Sequence, residues 1–282
     1  MPKHYEALQR AEQERRRKAT GVDSPMPAAV SFEGPASSPG VEKNPGLLAR
    51  ILRSRSRGAP VEVPSDTNKR RIALLQPESY VAEQYRSLRG RIDSLASQRS
   101  LKTLAVTSAN SGEGKSTCSV NLATVTAMSV GRNVLLIDCD LRRPKVHTTL
   151  GLQPRAGLAE VLLNQATVDE AIQKLEGLNL DVLPVRSIPP NPSELLASPE
   201  MRRLIEEVAG RYDRVILDTP ACLGLPDAKS ISEFCDGLIM VVRADVTPKE
   251  EVQAALDILD RRRVVGLVLN GSESTREQYG YY

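Results

Sequence analysis

Short apolar segments alternate along the chain with stretches of helical spacing, from about residue 100 onwards. The most apolar segments are 103–106, 133–140, 180–185, 214–218, 237–243 and 264–270. Continuous apolar runs that alternate with helices are typical of a parallel sheet covered on both faces. The pattern therefore predicts an α/β fold with a mostly parallel sheet of roughly six to eight strands flanked by helices. Segments 237–243 and 264–270 are apolar enough to predict central strands.

Helical spacing is clearest over residues 77–97. One face is apolar and carries Val81, Tyr85, Leu88 and Ile92. The other side carries a row of charges at every third position, namely Glu83, Arg86 and Arg89. The spacing predicts an amphipathic helix with one charged, solvent-facing side. Further helices are predicted over 115–128, 158–163, 168–175, 198–208 and 249–259.

Composition changes near residue 72. Residues 1–72 hold 14 Lys and Arg against 8 Asp and Glu, whereas the whole chain has a net charge of +3. The same segment holds 8 of the 19 prolines and few apolar runs. We therefore expect a basic, largely disordered arm with short helices over 1–72, a folded domain over 73–271 and a flexible tail over 272–282.

Two parts of this arm have helical spacing. Residues 2–18 carry a thin apolar stripe, which predicts either a helix that docks on a partner or a solvated charged helix. Residues 45–58 surround four aliphatic side chains with arginines. This segment is either a linker or a cationic helix for an anionic membrane surface or an acidic partner. The basic charge of the arm by itself could also indicate binding to nucleic acid, but no other feature of the sequence supports nucleic acid as a partner.

The four cysteines show no C-x-x-C spacing, and the chain has only two histidines. A disulfide framework and a histidine-rich metal centre are therefore not expected. No apolar stretch reaches about 18 residues and the N-terminus is charged, so the sequence predicts a cytoplasmic protein whose membrane association is peripheral.

A phosphate-binding loop is predicted in the segment LAVTSANSGEGKST, residues 104–117. A strand leads into glycines and then a helix, an arrangement that points backbone N–H groups and a positive helix end at an anion. Lys115 is expected to reach the β- and γ-phosphates and Ser116 to bind Mg²⁺. Ala109 stands where the first glycine of the common motif would be. The expected ATP-binding residues of the loop are Asn110, Ser111, Gly112, Glu113, Gly114, Lys115, Ser116 and Thr117.

Two strands of the predicted sheet end in carboxylates. The segment NVLLIDCD ends with Asp138 and Asp140, and RVILD ends with Asp218. The carboxyl ends of parallel strands meet at one edge of a sheet, where ligands bind. Together with the loop, these residues predict a Mg²⁺ and nucleotide site.

Three of the seven tyrosines lie within the last four positions: Tyr279, Tyr281 and Tyr282. The segment around them has no core-forming pattern. It is either a terminus that packs on its own surface or an extended tail, and eleven extended residues span up to roughly 35–40 Å, enough to reach a neighbouring subunit.

These motifs resemble the bacterial tyrosine autokinases of exopolysaccharide and capsule biosynthesis, which have a P-loop NTPase fold. SANSGEGKST resembles their Walker A loop, LLIDCDLRRP their Walker A′ segment and VILDTP their Walker B segment. YVAEQYRSLRGRI is similar to their E-x-x-R-x-x-R helix, and the tyrosine-rich end resembles their autophosphorylation cluster. The resemblance covers about residues 72–282.

The resemblance implies specific roles for these residues. Lys115 would hold the phosphates, while Ser116, Asp138 and Asp218 would coordinate Mg²⁺ directly or through water. Asp138 would accept the tyrosine proton with help from Asp140, and Asn270 would contact adenine. The oligomerisation helix would carry Glu83, Arg86 and Arg89. The phosphorylation sites would be Tyr279, Tyr281 and Tyr282.

The resemblance also implies cofactors and partners, namely ATP, Mg²⁺, further copies of the chain in a ring, and a transmembrane activator with a cytoplasmic segment. Sugar-nucleotide enzymes and glycosyltransferases would be external substrates. The main alternative is a partition- or positioning-type ATPase that phosphorylates no protein. Such ATPases carry a second lysine five residues before the P-loop lysine, and here that position is Asn110.

Overall fold

The computed structural model describes residues 70–272, which form a seven-stranded sheet with helices on both faces. The strands are β1 Thr103–Ser108, β2 Val134–Asp138, β3 Gln173–Leu175, β4 Leu180–Leu183, β5 Arg214–Asp218, β6 Gly237–Arg243 and β7 Val264–Asn270. Their order in the sheet is β3-β4-β2-β5-β1-β6-β7. All neighbours pair in parallel except β3, which is antiparallel to β4. The strand that leads into the P-loop therefore lies inside the sheet, between β5 and β6.

Ten helices connect these strands within residues 70–272. They are α1 Ile72–Leu75, α2 Tyr80–Ala96, α3 Lys115–Ala127, α4 Val146–Leu150, α5 Leu158–Leu162, α6 Val168–Ala171, α7 Pro192–Leu196, α8 Pro199–Arg211, α9 Asp227–Ser232 and α10 Lys249–Ile258. Helices α1 to α4 contribute to one apolar cluster and α5 to α10 to the other. Alternate residues of each strand enter the two clusters, as Leu104 and Ala105 do in β1. This division explains why the inner strands are apolar at consecutive positions.

The predicted α/β fold with a mostly parallel sheet is confirmed, and the seven strands lie within the predicted range. The segments 214–218, 237–243 and 264–270 are strands with the predicted bounds. The strand predicted over 133–140 ends at Asp138, so that Asp140 lies in the following loop. The short helices α1, α4, α7 and α9 were not predicted, because none has enough turns to show a periodicity.

The helix predicted over 168–175 is wrong in its second half. A capping box of Thr167 and Glu170 begins α6, but the helix ends at Ala171, and Ile172 has an extended backbone with ψ 134°. Residues Gln173–Leu175 then pair antiparallel with β4. The pairing is a tertiary contact, which the local spacing of apolar residues does not report.

The prediction that 264–270 is a central strand is also wrong. This segment is β7, the last strand of the sheet, and its side chains Leu267 and Leu269 are 50% and 64% exposed. Its apolar composition resembles that of a buried strand although only one of its edges is paired within residues 70–272. The segment 237–243 is an interior strand, as predicted, because β6 lies between β1 and β7.

Helix α2 differs from its predicted faces at two positions. Val81 is 41% exposed and Ala82 is fully buried, so the apolar face is turned by one residue near the start of the helix. Arg89 does not belong to a solvent-facing row of charges. Its guanidinium donates to the Val125 carbonyl and to the Ser129 hydroxyl, both at 2.7 Å. Arg89 thereby joins α2 to the C-terminal end of α3, where a cation interacts favourably with the helix dipole.

The proposed segments of the arm, 2–18 and 45–58, and the three tail tyrosines lie outside the described residues. Within residues 70–272, none of the helices combines the length and the apolar character needed to cross a bilayer. The described part begins with Arg70, whose carbonyl accepts a hydrogen bond of 2.9 Å from the Asn121 side chain on α3. Asn121 also accepts from the backbone N–H of Ala73 at 2.8 Å, so α1 is fastened to α3.

Candidate active site

The P-loop follows β1 and has left-handed backbone at two glycines. Gly112 and Gly114 have φ angles of 89° and 98°, and a Cβ atom on Gly114 would lie 1.9 Å from Nδ2 of Asn270. The Asn270 amide donates to the Glu113 carbonyl at 2.8 Å. Ala109 is absent from the residues with positive φ, so alanine adopts this position without strain. Glycine is therefore required at positions 112 and 114, whereas alanine is accepted at position 109, where the common motif has glycine.

Lys115 begins α3 and forms a buried ion pair. Its Nζ lies 3.0 Å from Oδ2 of Asp140, and the two residues are only 9% and 6% exposed. Burial lowers the pKa of Lys115, but the nearby carboxylates of Asp218, Asp140 and Asp138 outweigh this effect and raise the pKa above its ordinary value. Lys115 therefore remains a cation at neutral pH, at the position where a P-loop lysine meets phosphate.

Asp138 and Asp218 are paired in register at the ends of β2 and β5. Both side chains are fully buried. Burial and, second, the Asp218 charge together raise the pKa of Asp138 to about 8. Burial likewise raises the pKa of Asp218 to about 6, although Lys115 opposes the change. Two carboxylates on adjacent strands are placed side by side because parallel strands lie about 4.8 Å apart.

The two carboxylates differ in their hydrogen bonds. Asp138 accepts backbone N–H groups from Asp140 at 3.1 Å, Lys145 at 3.1 Å and Val146 at 3.0 Å. Asp218 Oδ1 accepts from the Ser119 hydroxyl at 3.0 Å, whereas its Oδ2 is buried without a partner among the described residues. The Asp138 carboxylate thus fixes the backbone of the loop after β2, while Asp218 keeps one oxygen without a partner among the described residues.

The outer side of the P-loop is held by Thr247, which follows β6, and by Glu251 on α10. Glu113 is 4% exposed and accepts from the Thr247 hydroxyl at 2.6 Å. The Asn110 amide donates to Glu251 at 2.5 Å and lies 3.4 Å from Glu113. Asn110 therefore lies between two carboxylates. The remaining predicted loop residues differ in exposure, since Ser111 is exposed whereas Ser116 and Thr117 are half-buried.

A second cluster, not predicted from the sequence, fastens the loop after β2. Asp227 at the start of α9 is fully buried, and its Oδ2 accepts from Arg142 Nε at 2.9 Å. Its Oδ1 accepts from the Ser193 hydroxyl at 2.5 Å, and Arg142 also donates to Ser193 at 2.8 Å. The cluster joins the Walker A′ loop to α7 and α9. Its only signal in the sequence is a set of polar residues in separate segments, which no local spacing connects.

The predicted chemical residues therefore meet at the carboxyl edge of β1, β2 and β5, with Asn270 on the far side of the P-loop. The predicted oligomerisation residues lie elsewhere, on α2. There Arg86 pairs with Glu83 and donates to the Pro77 carbonyl at 2.8 Å. Glu83 keeps 58% of its side chain exposed.

The residues present fit a magnesium ion. Asp218 Oδ2 is a buried carboxylate oxygen without a partner among the described residues, and the nearby Ser116 hydroxyl is among the groups that lower the pKa of Asp218. Carboxylate and hydroxyl oxygens are the ligands that Mg²⁺ prefers. Asp218 and Ser116 would hold the ion directly, next to Asp138.

Comparisons with known proteins identify relatives of the chain. The family model described as an AAA domain matches residues 101–261. The chain is 42% identical over 214 residues to the tyrosine-protein kinase YwqD of Bacillus subtilis, covering 75% of this chain and 90% of YwqD. It is 32% identical over 231 residues to the succinoglycan biosynthesis transport protein ExoP of Rhizobium meliloti, covering 75% of this chain and 29% of ExoP.

Solved structures give the same result. The kinase domain of the Escherichia coli tyrosine kinase ETK superimposes with a TM-score of 0.67 and 32% identity, covering 82% of this chain and 91% of that domain. The septum site-determining protein MinD of Pyrococcus horikoshii, complexed with Mg-ADP, gives a TM-score of 0.50 and 26% identity, covering 61% and 72%. The P-loop fold is shared with both proteins, but the match to the kinase domain is closer and longer. The chain thus belongs to the bacterial tyrosine-protein kinases with a P-loop fold.

Proposed function

We propose that this kinase transfers the γ-phosphate of Mg-ATP to Tyr279, Tyr281 and Tyr282 of a neighbouring copy of the chain, and thereby regulates the synthesis and export of an exopolysaccharide or capsule. The similarity to ExoP, whose name assigns it to succinoglycan biosynthesis, supports the process.

One observation carries the proposed chemistry. A buried lysine, the unpaired oxygen of Asp218 and the carboxylates of Asp138 and Asp140 meet at one edge of the sheet, directly after the P-loop. Phosphoryl transfer needs positioning and stabilisation of phosphate charge more than covalent help from the protein. Lys115 supplies a fixed cation, and the P-loop supplies backbone N–H groups.

In the proposed reaction, the tyrosine oxygen bonds to the γ-phosphorus while the bond from that phosphorus to the β-γ bridging oxygen breaks, and ADP leaves. The tyrosine proton passes to Asp138. A carboxylate accepts about four hydrogen bonds, and Asp138 already accepts three. One acceptor position remains on Asp138. Burial and the Asp218 charge raise the pKa of Asp138, which makes its ionised carboxylate a stronger base than an ordinary one.

Magnesium bound by Ser116 and Asp218 would neutralise charge on the β- and γ-phosphates. Asp138 has one acceptor position left, and we assign that position to the tyrosine proton during transfer. A contact of Asp138 with the metal through water would use the same position and is therefore made only while no tyrosine is bound. Asp140 assists by holding Lys115. Asn270 donates to the P-loop, which leaves its Oδ1 to accept from the adenine amino group.

We further propose that the kinase assembles into a ring through α2, with Glu83 and Arg86 at the contact. Arg89 is already bonded to α3, so its part in the ring is to hold α2 in place. A transmembrane activator with a cytoplasmic segment would bring the kinase to the inner face of the plasma membrane. External substrates would be sugar-nucleotide enzymes or glycosyltransferases.

The partition-type ATPase is less well supported. Its second lysine is absent, and Asn110 bonds instead to Glu251. The TM-score to MinD is also lower than the TM-score to the ETK kinase domain, 0.50 against 0.67.

The proposal is tested by incubating the full chain with Mg-ATP, with and without a candidate activator segment, and mapping phosphotyrosine by mass spectrometry. We expect phosphate on the three tail tyrosines and none in a Lys115→Met variant. Mixing Lys115→Met protein with an active chain that lacks residues 273–282 should restore phosphate on the inactive copy, because transfer occurs between copies. ATP hydrolysis without tyrosine modification would overturn the proposal in favour of the partition-type ATPase.

A further inference from the structure

The loop after β2 carries three cationic side chains beside the catalytic carboxylates: Arg142, Arg143 and Lys145. Arg142 is held inward by Asp227 and Ser193. Arg143 and Lys145 are exposed, and neither side chain forms an ion pair or a hydrogen bond with another residue of the described range 70–272. Two cations of this loop are therefore free for an anionic partner.

The backbone of these two residues is fixed by the site itself. The Arg143 N–H donates to Asp140 Oδ1 at 3.0 Å, and the Lys145 N–H donates to Asp138 Oδ2 at 3.1 Å. The backbone N–H of each of these two residues is thus hydrogen-bonded to a catalytic carboxylate. A partner that binds Arg143 and Lys145 is therefore held by the same loop whose backbone contacts Asp138 and Asp140.

A partner with negative charge meets an electrostatic obstacle here. Asp138, Asp140 and Asp218 line the site, and Lys115 is the one cation that is paired with them in the described part of the chain. An acidic peptide is repelled by such a site unless other cations offset the carboxylates. Arg143 and Lys145, on the loop that borders the site, can offset the negative charge of these carboxylates.

The tail carries negative charge close to its tyrosines. Glu277 lies two positions before Tyr279 and Glu273 six positions before it, whereas the cation Arg276 lies three positions before Tyr279 and, in an extended chain, on the opposite side from Glu277 and Tyr279. In an extended chain, residues two apart point to the same side and lie roughly 7 Å from each other. A tyrosine that enters the site therefore brings Glu277 to its rim.

We propose that Arg143 and Lys145 select the acceptor by binding acidic residues that flank its tyrosine, with Glu277 of a second copy as their first partner. This inference rests on the proposed function and assigns the residues that determine its peptide specificity. Arg143 and Lys145 act on substrate binding, whereas Lys115 and Asp138 act on the transfer itself.

The test uses a synthetic peptide with the sequence of residues 272–282 as substrate for the full-length kinase. The variants are Arg143→Glu, Lys145→Glu and, as matched control, Lys174→Glu on β3 at the opposite end of the sheet from β7. We expect each rim variant to raise the peptide KM about two- to fivefold, as for an exposed ion pair, with kcat and the KM for ATP unchanged. The difference should shrink at about 0.5 M salt, because exposed charges are screened.

A charge exchange sharpens the test. A peptide with Glu277→Lys should bind the unaltered kinase more weakly and should regain a low KM with Arg143→Glu or Lys145→Glu. A raised KM for ATP with an unchanged peptide KM would overturn the inference, since the cations would then serve the nucleotide. The inference would also be overturned if Arg143→Glu and Lys145→Glu had the same peptide KM as the control Lys174→Glu. In that case, tyrosine transfer by the unaltered kinase would still support the proposed function. No transfer to the peptide or to the tail by the unaltered kinase would overturn both.

Discussion

Lys115 and Asp140 lie 3.0 Å apart in a buried ion pair, so the cation expected to meet the nucleotide is held by a carboxylate of the Walker A′ loop. The pair links the start of α3 to the loop after β2. It also means that incoming phosphate competes with Asp140 for the same ammonium group. Asp140 therefore keeps Lys115 in position and, at the same time, weakens the attraction of the site for anions.

We expect Asp140→Asn to tighten the binding of a non-hydrolysable ATP analogue by about fivefold, because one negative charge near the phosphates is removed. The same variant should phosphorylate tyrosine more slowly, since Lys115 loses its partner. Isothermal titration calorimetry measures the first effect and phosphotyrosine formation the second. Asp181→Asn on β4 removes a carboxylate outside the site and serves as control. Weaker nucleotide binding by Asp140→Asn would contradict this account of the ion pair.

The two P-loop glycines should differ in their tolerance of alanine. At Gly114 an added Cβ would lie 1.9 Å from the Asn270 side chain, whereas at Gly112 nothing lies within 4 Å. Both positions have positive φ, which costs an alanine about 1–2 kcal/mol. Gly112→Ala should therefore weaken nucleotide binding moderately, and Gly114→Ala should weaken it more, because the Asn270 side chain must also move. The measurement is binding of a fluorescent ATP analogue.

A double variant tests the origin of that difference. Asn270→Ala removes the atom that a Cβ at position 114 would meet, so it should recover part of the binding lost in Gly114→Ala. Recovery stays partial because the strained backbone persists and the Asn270 hydrogen bond to Glu113 is gone. Equal effects of Gly112→Ala and Gly114→Ala would show that the contact with Asn270 is unimportant.

Asp227→Asn should reduce catalysis although Asp227 lies outside the predicted site. The variant removes the charge that holds Arg142, and loosening a partly buried hydrogen-bonded pair costs about 1–3 kcal/mol of folding stability. We expect kcat to fall about tenfold with the KM for ATP changed less than twofold, because the Walker A′ loop loses its fixed position. Urea unfolding and steady-state kinetics measure the two effects.

Two further variants separate positioning from simple destabilisation. Arg142→Lys keeps the charge without the Nε contact and should give an intermediate kcat. Glu200→Gln breaks the exposed pair with Arg203 on α8 and should change stability by less than about 0.5 kcal/mol, with kcat unaltered. The kcat of Asp227→Asn and that of the unaltered chain should also be compared at temperatures equally far below their respective Tm values. If the two kcat values are equal under these conditions, lost stability alone explains the fall.

The buried thiol of Cys118 should make folding sensitive to alkali. Burial and, to a smaller extent, the Asp218 charge together raise the pKa of Cys118 from 9.0 to about 12. Since the folded state favours the neutral thiol, this contribution to stability is complete below pH 9 and is lost as the pH rises through the window up to about 12. Each such group changes the free energy of unfolding by about 1.4 kcal/mol per pH unit inside its window.

The check is urea unfolding at several pH values between 8 and 11. Cys118→Ala should lower stability at pH 8 because it leaves a cavity, but its stability should then decline less steeply with pH than that of the unaltered chain. Identical slopes for the two proteins would mean that Cys118 does not titrate with a shifted pKa.

The order of elements and the phosphate-binding chemistry were predictable from sequence because they depend on local features. Gly112 and Gly114 adopt the left-handed backbone that their residue type allows, and Lys115 begins the helix that follows. Asp138 and Asp218 end apolar runs, and the parallel arrangement then places them side by side. In each case the spacing along the chain and one general rule about parallel sheets were enough.

Other features were decided only by tertiary structure. The order of strands makes β7 an edge although its composition is as apolar as that of an interior strand. The antiparallel strand β3 has only three residues, two of them polar, so nothing in its composition indicates a strand. The partners of Arg142 and Arg89 lie 85 and 36 residues away along the chain, so no local pattern connects them. Likewise, residue type alone makes Asp138 and Asp218 equivalent carboxylates. Their burial and hydrogen bonds, which depend on the whole packed fold, leave Asp218 with a free oxygen and Asp138 with a raised pKa.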